Sequence, residues 1–145
     1  MPLATPVNAE DYTVTIQPEG TDTIVAGDGS DTVIAGYGTD AVTLSGWTNQ
    51  VIGGLGQDVV TGGSNNTYSI AHLAAAGAPV AMDITDFSVS TNDVLDLTGA
   101  LKDAGYAAGD TLANFVQVAQ SGGNTLVSIT DSSSISHLVA GGALF

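Results

Sequence analysis

The chain of 145 residues has no cysteine and no arginine, and Lys102 is its one basic residue against 15 Asp and Glu. Each shortage removes a class of function. Without cysteine there is no disulfide framework and no thiolate metal site. A formal charge of −14 leaves no basic surface for phosphates, so nucleic acid is not an expected partner, and anionic membrane surfaces repel the chain. No apolar run is long enough to span a bilayer. The opening residues, MPLATPVNAEDYTVTI, lack the charged and apolar regions of a Sec signal peptide. Imidazoles are scarce as well. His72 and His137 stand outside any metalloprotease or hydrolase motif, and the serines near His137 are neighbours in sequence only. With no acid, base or nucleophile placed by pattern, a non-enzymatic protein is expected.

What the chain has is glycine and aspartate in phase. Residues 17–70 divide into QPEGTDTIV, AGDGSDTVI, AGYGTDAVT, LSGWTNQVI, GGLGQDVVT and GGSNNTYSI. Column four is mostly glycine (Gly20, Gly29, Gly38, Gly56), column six mostly aspartate (Asp22, Asp31, Asp40, Asp58), and column eight aliphatic (Ile24, Val33, Val42, Val51, Val60). Tight turns visit positive φ, where a Cβ is penalised, so glycine marks a loop. In a short strand the middle side chain points opposite to its neighbours. The pattern therefore predicts a loop and a strand in every repeat, with column eight facing inward. The loops are not phosphate cradles, because they lack a P-loop lysine and their aspartates repel phosphate.

The repeat resembles G-G-x-G-x-D-x-U-x, the nonapeptide of the RTX family of calcium-binding parallel β-rolls. The resemblance implies an all-β chain, a parallel β-roll (a β-solenoid of nonapeptide repeats) with a C-terminal capping region rich in β-hairpin. Two nonamers complete one turn of such a coil, so loops stack every 18 residues and the aspartate column splits into two edges. The first edge carries Asp22, Asp40 and Asp58. The second carries Asp31, then Asn49, then a degraded repeat in which one loop residue is missing. Shifting by one sets Asn66 at the aspartate position and Tyr68 at the inward position. Trp47 and Asn65 stand where column four wants glycine, which weakens the second edge.

By the same resemblance, calcium lies between loops one turn apart. One site falls between Asp22 and Asp40, another between Asp40 and Asp58, and a weaker third uses Asp31 with Asn49. Backbone carbonyls of the glycine-rich loops at Gly20, Gly38 and Gly56 would add oxygen donors, which suits a hard cation that takes about six to eight oxygens. Stacked carboxylates repel until a cation sits between them. The coil also buries little, five aliphatic side chains and a tyrosine, against the backbone entropy of ordering it. The expectation is a roll that is disordered without calcium and folds on binding it. The alternative is a metal-free solenoid whose aspartates cap turns.

Three regions are expected: a capping strand in 1–16 built on YTVTI, the calcium-binding roll in 17–70, and a C-terminal cap in 71–145. Within the last, DITDFSVSTNDVLDLT resembles the segment that closes an RTX roll. GDTLANFVQVAQSGGNTLVSIT resembles the C-terminal target region of type I secreted proteins and alternates as two strands around Ser121-Gly122-Gly123-Asn124. Asp86 and Asp93 are either ligands of an extra calcium at the end of the roll or caps of an acidic turn. Short helical turns are expected at His72 to Ala76 and Leu101 to Tyr106. Ile34, Ile52 and Ile70 recur at one outward position, a ladder that either the C-terminal half covers or a second copy does. The apolar end, HLVAGGALF, is compatible with an uncleaved export signal.

The functional expectation is a calcium-binding, exported, non-enzymatic protein with a structural or adhesive role. It would be handled by type I secretion machinery and end extracellular or on the cell surface. Extracellular calcium modules bind with Kd of about 10⁻⁴–10⁻³ M, so such sites stay empty inside a cell and fill outside. The other expectation is that the chain is the secretion and folding module of a larger exoenzyme or adhesin.

Overall fold

The structure, a computed structural model, describes residues 6–7, 11–16, 20–53, 55–72, 81–130 and 136–141. Its strands are β1 (Pro6–Val7), β2 (Thr13–Thr15), β3 (Thr23–Ala26), β4 (Thr32–Ile34), β5 (Tyr37–Gly38), β6 (Ala41–Leu44), β7 (Gln50–Gly53), β8 (Leu55–Thr61), β9 (Thr67–Ile70), β10 (Ala81–Ile84), β11 (Val94–Asp96), β12 (Val116–Ser121), β13 (Asn124–Thr130) and β14 (Ser136–Gly141). A short helix, α1 (Thr98–Asp103), lies where a helical turn was expected at Leu101. Of the other such stretch, residues 73–76 fall outside the described residues, as do 142–145 of the apolar end. Strand takes 49 % of the chain and helix 11 %, which makes the class mostly β.

From β2 to β11 the chain passes back and forth between two sheets. One sheet runs β1-β3-β6-β8-β10, and the other β2-β4-β7-β9-β11, each pair parallel. Register follows the repeat. Ile24 pairs with Val42 and Val42 with Val60 on the first sheet, while Val33 pairs with Val51 on the second. Tyr68 pairs with Val51, the frame expected once one loop residue is dropped. All of these side chains are buried in one cluster, and their strand neighbours Thr23, Val25, Ala41 and Thr43 are exposed. Alternation along a pleat explains the pattern on the first sheet, where one face meets the core and the other meets solvent.

The parallel ladders run on past the last repeat. β10 pairs with β8 and β11 with β9, so both sheets gain one more strand from the C-terminal region. Met82, Ile84 and Phe87 join the core there, as do Val127 and Ile129 of β13. The core is thus larger than the column-eight residues alone supply. The expected hairpin is present as β12 and β13, antiparallel around Gly122-Gly123, with Val116 opposite Ile129 and Val118 opposite Val127. β14 then joins β13 antiparallel and β10 parallel, which ties the hairpin to the first sheet.

One sequence expectation changes. The outward ladder Ile34, Ile52, Ile70 does not form: Ile34 pairs with Ile52, but Ser69 follows in that column. Ile70 pairs with Gly53 and is 2 % exposed in the core, because the shortened loop moves every later residue of the repeat by one position and so to the other face. The second edge also keeps its close glycine stack despite Trp47. A Cβ on Gly46 would strike the backbone of Gly29, and one on Gly63 that of Gly46. Trp47 itself is 70 % exposed and bridges to Ser64.

Stacking is closest at Gly20, Gly38 and Gly56. Gly38 bridges to Gly20 and pairs with Gly56, with φ at +144°. A Cβ on Gly38 would overlap the Gly20 carbonyl, and one on Gly56 would overlap that of Gly38. The obstacle is backbone and cannot swing aside. Gly38→Ala should therefore cost at least about 2 kcal/mol in chemical denaturation. Gly123→Ala, in the hairpin turn with nothing within 4 Å of the new methyl, should stay within about 0.5 kcal/mol of the parent chain. Equal losses would contradict the stacking account.

Candidate metal centre

Asp22, Asp31, Asp40 and Asn49 sit at corners immediately before β3, β4, β6 and β7, as Asn66 does before β9, while Asp58 lies within β8. On the edge leading into the first sheet, the Asp22 N–H donates to Asp40 Oδ1 at 3.0 Å, and the Asp40 N–H donates to Asp58 Oδ1 at 3.3 Å. The side chain of each corner residue thus reaches back to the backbone one circuit earlier. Asp40 and Asp58 are 1 % and 3 % exposed, while Asp22 is half-buried. The structure brings together the three predicted carboxylates as one column. It places the predicted Gly20, Gly38 and Gly56 as the contact between loops, with the Gly20 carbonyl already accepting the Thr39 N–H at 2.9 Å.

The other edge is built alike from different chemistry. The Tyr12 N–H donates to Asp31 Oδ1 at 3.1 Å, Asp31 N–H to Asn49 Oδ1 at 2.8 Å, Asn49 N–H to Asn66 Oδ1 at 3.1 Å, and Asn66 N–H to Asp93 Oδ1 at 2.9 Å. The amides add bonds that carboxylates cannot make: Asn49 Nδ2 donates to Asn66 Oδ1 at 3.0 Å, and Asn66 Nδ2 to the Gly62 carbonyl at 3.1 Å. Residues before the corner take left-handed backbone at Thr48, Asn65 and Asn92, with φ of 68°, 60° and 61°.

Asp86 and Asp93 both lie in the last loop of this edge, and each is well supplied with donors. Asp86 accepts from Gly62 N–H and Gly63 N–H, all at 3.0 Å. Asp93 accepts from Asn66 N–H, from Ser88 N–H at 2.9 Å and from Thr91 Oγ1 at 3.2 Å. These hydrogen bonds are ones a turn cap makes, and both readings of the pair, calcium ligand or turn cap, stay open. Their charges, after burial itself, raise the pKa of the buried Tyr68 hydroxyl.

Among the described residues, two oxygens break the rule that buried polar atoms find partners. Asp31 Oδ2 and Asp40 Oδ2 are buried and accept no hydrogen bond. A carboxylate held out of water without a donor is costly unless it is paired, protonated or bound to a cation. The donor set is hard oxygen throughout, the kind that suits calcium. Among the described residues no three His, Cys, Asp or Glu side chains converge as a ready-made metal group. A cation at Asp40 would therefore rest on carboxylates of adjacent circuits, with loop carbonyls and water as the remaining ligands.

Sequence reasoning missed Asp11, whose Oδ1 accepts the Ser30 N–H at 2.9 Å. It precedes Tyr12, which the register sets one circuit before Asp31, and only that register exposes the relation. Comparison with known protein families, with curated proteins and with solved structures found no match to this chain.

Asp40 carries the sharpest conflict. Burial pushes its pKa above the ordinary 3.8, the Asp22 N–H pulls it back, and the Asp22 charge adds to the rise. The folded value exceeds the unfolded one, so the folded state holds the proton longer. Metal-free stability from this group is then greatest below the unfolded pKa and falls as pH rises through the folded one. Asp96 works the other way, since the hydroxyl and N–H of Thr98 lower its pKa and its contribution is lost in acid. In chelator, Asp40→Asn keeps an acceptor for the Asp22 N–H and removes the charge. It should raise the melting temperature near neutral pH and leave it nearly unchanged in acid. A variant that melts lower than the parent at neutral pH in chelator would contradict this.

Proposed function

We propose that the chain is a calcium-binding parallel β-roll of the RTX kind, exported by type I secretion machinery and stabilised by the calcium it meets outside the cell. Its role on this reading is structural or adhesive, at the cell surface or free of it, and not enzymatic. The observation that carries the proposal is the unpartnered, buried Oδ2 of Asp40 in a column whose neighbours above and below are also aspartate. Such a column has same-sign charge at every level and nothing else of opposite sign in the sequence to offset it, Lys102 apart.

Further support comes from the spacing of the ladder. Consecutive corner residues on the carboxylate edge are 18 apart, two nonamers per circuit. Strands in a sheet lie about 4.8 Å apart, so carboxylates of successive levels are close enough to share one ion. The amide edge reaches the same stacking without charge, which bears on ion count: the pair Asn49 and Asn66 has its oxygens engaged already. The larger core supplied by the C-terminal strands shifts the expected response. Losing calcium would loosen the carboxylate edge before it dissolved the whole chain.

Calorimetric and circular-dichroism titration tests the reading. Calcium should raise the β signal and melting temperature, and magnesium, which demands tighter octahedral geometry and gives up water reluctantly, should not reproduce the effect. Asp40→Ala should weaken calcium binding by roughly tenfold or more, since loss of outer-shell partners alone costs that much. It should do more harm than Asp22→Ala or Asp58→Ala, because Asp40 touches both neighbours in the column. No calcium effect on the parent chain, or an Asp40→Ala variant that titrates like it, would overturn the proposal.

A further inference from the structure

Each sheet has two end strands, and three of the four carry a device against pairing with other chains. β1, at one end of the first sheet, is two residues long and contains Pro6. β2 and β11, at the ends of the second, are three residues each; β2 lies just after Asp11, and β11 holds Asp96. Shortness, proline and charge all keep a row of unpaired N–H and C=O groups from recruiting a further strand.

β12 has none of these. It ends the first sheet, pairs among the described residues with β13 alone, and runs for six residues, VQVAQS. Residues 111–130 contain no charged residue and no proline, in a chain of net charge −14. The pairing with β13 is regular, without a bulge, from Val116 opposite Ile129 to Ser121 opposite Asn124. From Gln117 to Ser121 both faces of the strand are exposed. Val118 is 61 % exposed, although Val127 opposite it is buried.

Register decides which groups this edge presents. Thr130 N–H donates to the Phe115 carbonyl at 2.8 Å. Alternate residues of an antiparallel strand turn N–H and C=O to the same side. Gln117, Ala119 and Ser121 therefore face β13, and Val116, Val118 and Gln120 hold their groups toward the open edge. Those three positions are symmetric about Val118. A second β12 laid antiparallel, Val118 against Val118, matches Val116 with Gln120 and Gln120 with Val116. Every N–H and C=O offered by one edge then meets one offered by the other. An offset of one residue sets Val118 against Gln117 or Ala119, whose groups are already spent on β13.

We propose that β12 is a dimerisation edge: two copies of the chain join antiparallel about a two-fold axis at Val118, so that their hairpins form one four-stranded sheet. A second copy is the occupant because the edge is complementary to itself in register. The edge is also a neutral strip on a chain whose net charge repels its own kind. Pairing covers Val118 with Val118 and sets Gln117 beside Ala119, and brings no charges together. One strand against one strand is a small contact beside the roughly 1,200–2,000 Å² of a stable interface, so the dimer is reversible and depends on protein concentration. The pairing uses backbone groups and stands apart from the reading of the chain as a calcium-binding roll.

Sedimentation of the full chain in calcium, from micromolar to millimolar concentration, tests this. A monomer–dimer equilibrium is expected, and added salt should strengthen it by screening like charges. Val118→Pro removes an N–H at the axis and none that bonds β13, and Val118→Glu sets like charges face to face. Each variant should stay monomeric while the Leu126 and Ser128 amides, which face β12, keep the hydrogen-exchange protection of the parent. Because the chain has no cysteine, Val118→Cys is a clean reporter. The two Cα atoms across the axis lie about 5.5 Å apart, within disulfide reach. Mild oxidation should link Val118→Cys as a dimer and leave Val25→Cys, exposed on the outer face of the same sheet, mostly unlinked. A parent chain monomeric at every concentration, with Val118→Cys no faster to link than Val25→Cys, would overturn the pairing and leave the edge to a strand of another protein. A dimer that persists in either Val118→Pro or Val118→Glu would overturn it as well, by placing the contact elsewhere.

Discussion

The constraint on which this architecture depends is the corner. At five passages between the two sheets the backbone turns and leaves an N–H pointing along the stack. The side-chain oxygen of the corner residue one level on accepts that bond, at Asp22, Asp31, Asp40, Asn49 and Asn66 alike. Asp and Asn are short enough to do this from a turn while their own backbone continues the ladder. The strands then follow in register, and the column-eight side chains meet in the core.

The two edges answer the same demand at different electrostatic cost. Asparagine stacks as a neutral amide and adds a donor, so the second edge is hydrogen-bonded from Asn49 through Asn66 to Asp93. Aspartate accepts the same N–H but leaves a second oxygen and a charge. At Asp40 both are buried, and no donor meets the oxygen. On our reading this edge holds calcium for that reason, and the difference between the edges sets where the molecule depends on its ion. The glycine stack Gly20, Gly38, Gly56 belongs to the same edge: the missing Cβ atoms let successive loops approach backbone to backbone.

Much of this was legible in the sequence. The nonamer phase predicts which residues pair, as Ile24 with Val42 and Val33 with Val51, because side-chain alternation leaves one inward position per short strand. Dropping one loop residue before Asn66 was also legible, and it explains Tyr68. Its consequence for Ile70 was not followed through: the same shift that sets Tyr68 inward sends Ile70 to the core two residues later. The added strands β10 and β11 were hidden because their register to the previous level is no longer 18, with Ile84 beside Val60 and Leu95 beside Tyr68. Asp11 was hidden for a related reason, since it precedes the first repeat and only pairing of β2 with β4 brings it to Ser30. The donors around Asp86 and Asp93 were not legible, because they come from the previous level and from within their own loop.

The central claim is that the carboxylate edge needs a cation and the amide edge does not. Amide hydrogen exchange resolved by residue, with calcium and in chelator, tests it most directly. The account predicts that the Asp22 and Asp40 amides, which bond to carboxylates, lose most of their protection in chelator, while the Asn49 and Asn66 amides hold theirs. Equal protection at both edges, unchanged by removing calcium, would contradict it.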